Sequence, residues 1–203
     1  MFKNRIIPTK AQEEAEDIFF GQIAIIWSRW FLIAAGTIIA MWSGIDENQF
    51  TLGIITLVVL MSLNFYAHGR YLTGKPVNKF LLLVGNLIDI SVITALVMFW
   101  DKSHTGLESE FFILYYPMLF AWALVFSPPV TILFTAITLG IYTAACMVSP
   151  NFFTLLLDKG GANPLISHLV TLGSMGGLGT YYYRRQRDSL RALLATKAAP
   201  IFK

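Results

Sequence analysis

Apolar residues in this chain gather into long unbroken runs rather than into the one-sided stripes of a soluble helix. Six such runs follow one another, at 23–43, 50–67, 80–100, 111–126, 130–148 and 165–183. A membrane helix needs about 20 mainly apolar residues to cross a hydrocarbon core of about 30 Å. The pattern therefore predicts an all-α polytopic membrane protein, a bundle of six transmembrane helices. The fourth run is the shortest and contains Pro117, which predicts a kink. Only Ser127, Pro128 and Pro129 separate the fourth run from the fifth, so these form either a tight helical hairpin or one broken helix.

Polar segments flank the runs. Residues 1–22 read as an amphipathic N-terminal segment: Thr9 and Gln12 fit a capping box, and Ala11, Ala15, Ile18 and Phe19 recur at helical spacing. Residues 23–183 form the membrane domain. Residues 184–203 read as a basic C-terminal helix or tail in which Leu190, Leu193 and Leu194 share a face and Pro200 ends the helix.

Composition agrees with this division. Of 203 residues, 56% are hydrophobic and 13% charged, and the mean hydropathy is +0.62. Soluble domains run at about 45–50% apolar and about 25% charged. A disordered chain and a nucleic-acid-binding arm are excluded, and a soluble enzyme is disfavoured. One cysteine, Cys146, leaves no intrachain disulfide and no multi-cysteine metal site. The first apolar run follows an acidic stretch and is too long for a cleavable signal.

The net charge of +3 divides unevenly. Lys3, Arg5, Lys10, Arg70, Lys75, Lys79 and the Arg-rich tail lie on one side of the proposed membrane, and Asp46, Glu47, Asp101, Glu108, Glu110 and Asp158 on the other. The sides carry +7 and −4. By the positive-inside rule both termini are cytoplasmic, as an even number of spans requires. Trp42 and Trp100 fall at the outer ends, and Trp27, Trp30, Tyr71 and Tyr181 to Tyr183 toward the inner ends, as in an aromatic belt.

Two ionisable groups remain inside the runs. Arg29 and Asp89 lie about seven and nine residues from the inner edge, roughly 10 and 13 Å deep. Each costs about 2.5–3.5 kcal/mol on insertion scales, so an ion pair between them would offset much of both penalties. Such a pair reads first as a structural pin. Alternatively Arg29 snorkels to lipid phosphates while Asp89 takes a hydrogen bond from Asn86, or Asp89 serves a proton or quinone. His68 and His168 fall at opposite depths and cannot share a haem. Gly173 and Gly177 form a GxxxG pair, and Gly140 and Ala144 a similar small pair, expected to serve helix packing within the chain or against another subunit. No catalytic set and no metal or cofactor set stands at one depth.

The segment Gly160-Gly161-Ala162-Asn163-Pro164-Leu165 is an ordinary turn signal. It is also similar to a Gly-Gly…Asn-Pro-Phe loop of redox-responsive sensor kinases, one residue shorter and with Leu for Phe. The stretches WSRWFLIAAG and FFILYYPMLFAWALVFSPP, the 64–71 end of the second run and the Arg-rich helix leaving the last run together resemble the six-helix membrane input module of bacterial sensor histidine kinases, over residues 23–195. The resemblance implies a bacterial inner membrane. No phosphoacceptor-histidine or ATP-binding motif is present, so kinase activity does not carry over. Two functions are expected. One is a non-catalytic accessory subunit of a larger membrane complex of respiratory or photosynthetic electron transfer, with other membrane subunits and lipids as partners and no nucleic acid. The other is a stand-alone sensor or binder for a lipophilic molecule such as a quinone, contacting Asp89, Trp122 and Asn163.

Overall fold

The computed structural model describes residues 10–42, 47–75, 77–100, 104–150, 152–158 and 163–198. Among these every regular element is helical. The elements are α1 (Lys10–Trp42), α2 (Glu47–Leu72), α3 (Lys79–Phe99), two short 3-10 segments (Gly106–Glu108 and Glu110–Leu114), α4 (Tyr115–Val125), α5 (Pro128–Val148), α6 (Phe152–Asp158) and α7 (Asn163–Ala198). Thr9, Pro200 and the Gly160–Ala162 loop lie outside the described residues. Four helices are long and apolar enough to cross a membrane: Gly21–Trp42, Gln49–Leu72, Phe80–Phe99 and Pro128–Val148.

The other two runs depart from the simple pattern in different ways. The fourth is a hybrid of 3-10 and α-helix over Glu110–Val125. A 3-10 segment rises about 2 Å per residue, so these 16 residues reach about 26 Å, more than an α-helix of the same length. Pro117, where a kink was expected, sits in the first turn of α4, directly after the junction with the 3-10 segment. The sixth run lies in α7, which is 36 residues long, or about 54 Å. It is long enough but, with its glycines, serines and His168, not apolar enough to stand among the four, and the basic tail continues the same helix. The N-terminal segment is likewise continuous with the first run in the 33 residues of α1.

Local chemistry places the turns. α2 ends in a Schellman motif: Gly74, at φ 68°, donates to Tyr71 O at 2.9 Å and Lys75 to Arg70 O at 3.0 Å. The Asn78 side chain caps α3 by accepting from Phe80 N at 3.0 Å. α5 opens on Pro128 and Pro129 after extended Ser127. The chain reverses there, because Trp122 and Phe134 meet edge-to-face at 4.5 Å. In one continuous helix they would stand about 18 Å apart, so the fourth and fifth runs form a hairpin.

Consecutive long helices alternate in direction. α1 runs antiparallel to α2, with Gln22 at Ala67 and Asn64 at Ile26. The start of α2 meets the end of α3 through Gln49 and Trp100. α5 and α7 are antiparallel, with Thr135 at Gly176 and Tyr142 at His168. The start of the described α1 and the end of α7 therefore lie at the same end of the bundle. α4 is the central helix: Tyr115, Met118, Leu119, Ala121, Trp122, Ala123 and Val125 are all buried, and α1 and α7 pack most extensively upon it. Trp100 is buried against Phe111 rather than standing in a belt, whereas Trp27 and Trp42 are exposed.

Candidate functional site

Polar residues buried where α1, α2 and α3 meet form the candidate site. α1 is apolar on its buried face at Ile25, Ile26, Leu32 and Ile33, but Gln22 and Arg29 occupy the same face seven residues apart. α3 presents Asn86 and Asp89 in the same way, and α2 presents Asn64.

The structure brings Arg29 and Asp89 together. Arg29 Nε donates to both carboxylate oxygens of Asp89 at 3.0 Å, and Nη2 donates to Oδ2 at 2.6 Å. Both residues are buried, at 4% and 3% exposure. Gly85, one turn before Asp89, makes room for the guanidinium: a Cβ there would stand 3.0 Å from Arg29 Nη2. The planar fork of arginine meets the carboxylate along its edge, a geometry that an ammonium does not reproduce.

Two amides add ties at neighbouring depths. Gln22 Nε2 donates to Ala67 O at 2.7 Å, and its Oε1 accepts from Val77 N at 3.1 Å. One side chain thus fastens α1 to α2 and to the turn before α3. Asn64 Nδ2 donates to Ile26 O at 3.2 Å. Asn86 differs. It is fully buried, and neither its amide nitrogen nor its oxygen has a hydrogen-bond partner among the described residues; Asn64 Oδ1 also lacks one.

A second polar group lies at the far end of the bundle. Tyr142 Oη and His168 Nδ1 are 2.6 Å apart, and Phe112 stacks on the imidazole at 3.9 Å. Thr94 and Tyr115 hydroxyls pair at 2.7 Å, linking α3 to α4. Thr105 and Ser149 hydroxyls pair at 2.7 Å beside Gly106, whose φ of 65° and contact with Ser149 both require glycine. These ties were not legible in the sequence. Gln22 could have been found from its seven-residue offset to Arg29, but nothing in the sequence pairs Tyr142 with His168.

The remaining expected residues are dispersed. Trp122 packs against Phe134 in the core. Asn163 begins α7, and its side chain lies outside the described residues. The expected small-residue pairs are not where helices approach within the chain. Around Gly173, Gly177 and Gly140 nothing stands within 4 Å of an added Cβ, and Ala144 is exposed. Close approach occurs at Gly21 against Val125, Gly176 against Thr135, and Gly179 against Ala123 and the Phe120 carbonyl. The physical reason is register: the face of α7 turned to α4 and α5 passes through 176 and 179, leaving the GxxxG pair turned outward. Among the described residues no group of three or more His, Cys, Asp or Glu side chains could hold a metal ion. No family model, curated protein or solved structure matches the chain, so the likeness to sensor-kinase input modules rests on the sequence segments that carry it.

Proposed function

We propose that the chain is a non-catalytic integral-membrane subunit of a larger assembly in a bacterial inner membrane, with its six long helical segments crossing the bilayer and both termini cytoplasmic. The observation that carries this reading is the use made of the buried polar side chains. Gln22, Arg29, Asn64 and Asp89 each tie one helix to another. In a bilayer, helix association depends on such ties and on close packing, because lipid tails are as apolar as leucine. The interior of α1–α3 is thus built to hold shape. The exposed apolar surface of α2, with Phe50, Leu52, Ile55, Val58 and Phe65, is suited to lipid or to a neighbouring subunit.

Six crossings are supported by the alternating helix directions and by the near-bilayer reach of the fourth segment. The polar and glycine content of the sixth is compatible with spanning because α7 packs along α4 and α5. Thiol labelling of single-cysteine variants tests the topology: position 108 should react from outside the cell and position 189 only after permeabilisation. Complexes of respiratory or photosynthetic electron transfer commonly carry small helical subunits and are the proposed host. Affinity purification of the tagged chain in mild detergent should bring redox subunits with it; a chain that runs alone refutes this role.

A second reading, a stand-alone binder or sensor of a lipophilic molecule such as a quinone, is favoured by an apolar pocket of about 270 Å³ between α1, α2 and α3. Leu32, Ile33 and Val92 in its lining stand about one turn from Arg29 and Asp89. The continuous α7 would carry the output. Quinone titration of the wild type and Asp89→Asn separates the cases, since unchanged binding removes Asp89 from the site.

A further inference from the structure

α5 and α7 touch closely at Gly176, where an added Cβ would collide with Thr135. Around Gly173 and Gly177 the two helices leave an open groove of about 470 Å³, walled on the α5 side by Ile132, Ala136 and Leu139 and ending at Arg184. The threonine hydroxyls beside it are spent on their own helix, Thr135 donating to Thr131 O at 2.9 Å and Thr180 to Gly176 O at 2.8 Å, and Tyr181 adds a phenol to the lining. The groove therefore offers hydrocarbon contact along its length and a cation at its end. Arg184 is exposed and makes no ion pair or hydrogen bond with a described residue.

Dimensions decide what fits. From Gly173 to Arg184 is about 17 Å along the helix, slightly more than half of a hydrocarbon core of about 30 Å. An extended acyl chain matches that length, and an anionic head would meet the exposed Arg184 guanidinium at its end, whereas an apolar partner helix would leave that cation without an anion. A single acyl chain enters, and a phosphate at its head meets a guanidinium whose fork suits phosphate oxygens. Neighbouring Arg185, also exposed, adds positive charge, and an anionic leaflet attracts such basic residues.

We infer that the α5–α7 groove is a binding site for an anionic phospholipid of the cytoplasmic leaflet, with one acyl chain along Gly173 and Gly177 and the phosphate on Arg184. The inference rests on the transmembrane, termini-inside reading and not on the accessory role. The full chain is reconstituted into vesicles of phosphatidylglycerol or of phosphatidylcholine with the same acyl chains, extracted in mild detergent, and weighed intact with its retained lipid. The wild type should retain phosphatidylglycerol in preference to phosphatidylcholine. Gly177→Leu, whose Cβ would meet nothing within 4 Å and whose side chain would fill the groove, and Ala136→Leu, which fills it from the α5 side, should each lower retention about tenfold. Arg184→Gln should abolish the preference between headgroups while leaving the groove open; a charge-assisted hydrogen bond is worth about a factor of ten or more. Unchanged retention in both filled variants, or an unchanged headgroup preference in Arg184→Gln, overturns the proposal while leaving the transmembrane reading intact. A photo-crosslinker at position 177 that captures protein instead of lipid also overturns it. A chain that fails to insert into either vesicle overturns the transmembrane reading and the proposal together.

Discussion

Replacing Asp89 by leucine leaves the Arg29 guanidinium buried at 4% exposure without its carboxylate. Three donor–acceptor contacts of 2.6 to 3.0 Å are lost at once. Removing one partner of a buried ion pair costs about 3–5 kcal/mol, mostly for the charge left behind. That is a large share of a total stability of about 5–15 kcal/mol. For a chain of this length it corresponds to a fall in melting temperature of roughly 10 °C. Replacing both partners, as Arg29→Met with Asp89→Leu, removes the stranded charge together with the desolvation of both groups, and should return stability to within about 1 kcal/mol of the wild type or above it. Thermal unfolding of the purified chain in one detergent, with the single variants and the double variant in a double-mutant cycle, measures the coupling directly. If Asp89→Leu melts within about 2 °C of the wild type, the pair is not a structural tie and the reasoning fails. A stable double variant that loses the association proposed above would move the pair from structure into function.

Three further outcomes follow from the same contacts. Gly179→Ala should cost about 1–3 kcal/mol, because its Cβ would overlap Ala123 and approach the Phe120 carbonyl, whereas Gly173→Ala and Gly177→Ala should be neutral or stabilise by up to about 1 kcal/mol through helix propensity; melting temperatures in matched detergent give the comparison, and equal losses at all three would refute the α7 register. Gln22→Leu should cost about 1–3 kcal/mol by stranding the buried Val77 N–H, visible as faster amide hydrogen exchange at the α2–α3 turn. Asn86→Leu removes two unpartnered polar atoms at a fully buried position and should be neutral or stabilising in the same melt; a loss above about 1 kcal/mol would mean that a bound water satisfies the amide.

The apolar runs were legible because transfer into a membrane is a property of residues taken one at a time, each according to its transfer free energy. Arg29 and Asp89 stood out for the same reason, each being the rare charge in an apolar stretch. The glycines were not assignable in this way. Gly173 and Gly177 form the more recognisable motif, yet Gly176 and Gly179 make the close approach, because the inward face of α7 depends on how α4 and α5 are placed around it. Trp100 and Trp42 both stand at helix ends in the sequence, but only the docking of Phe111 decides that Trp100 is covered. The 3-10 start of the fourth run is equally a product of its surroundings, since the buried Phe111, Phe112 and Leu114 hold it against its neighbours.

By itself, then, the sequence determined that the chain is helical with long apolar runs and which two charges lie deep within them, while the structure shows four of the six expected spans as helices long and apolar enough for a membrane. These are properties of local composition and period, summed along one helix at a time. The tertiary structure alone decided that Arg29 reaches Asp89 past Gly85, that Gln22 closes the α1–α2–α3 corner, that α4 lies at the centre, and that a glycine-floored groove stays open beside Arg184. Each of these depends on the rotation of one helix relative to another, which packing sets by excluding overlap and by requiring partners for most buried polar groups.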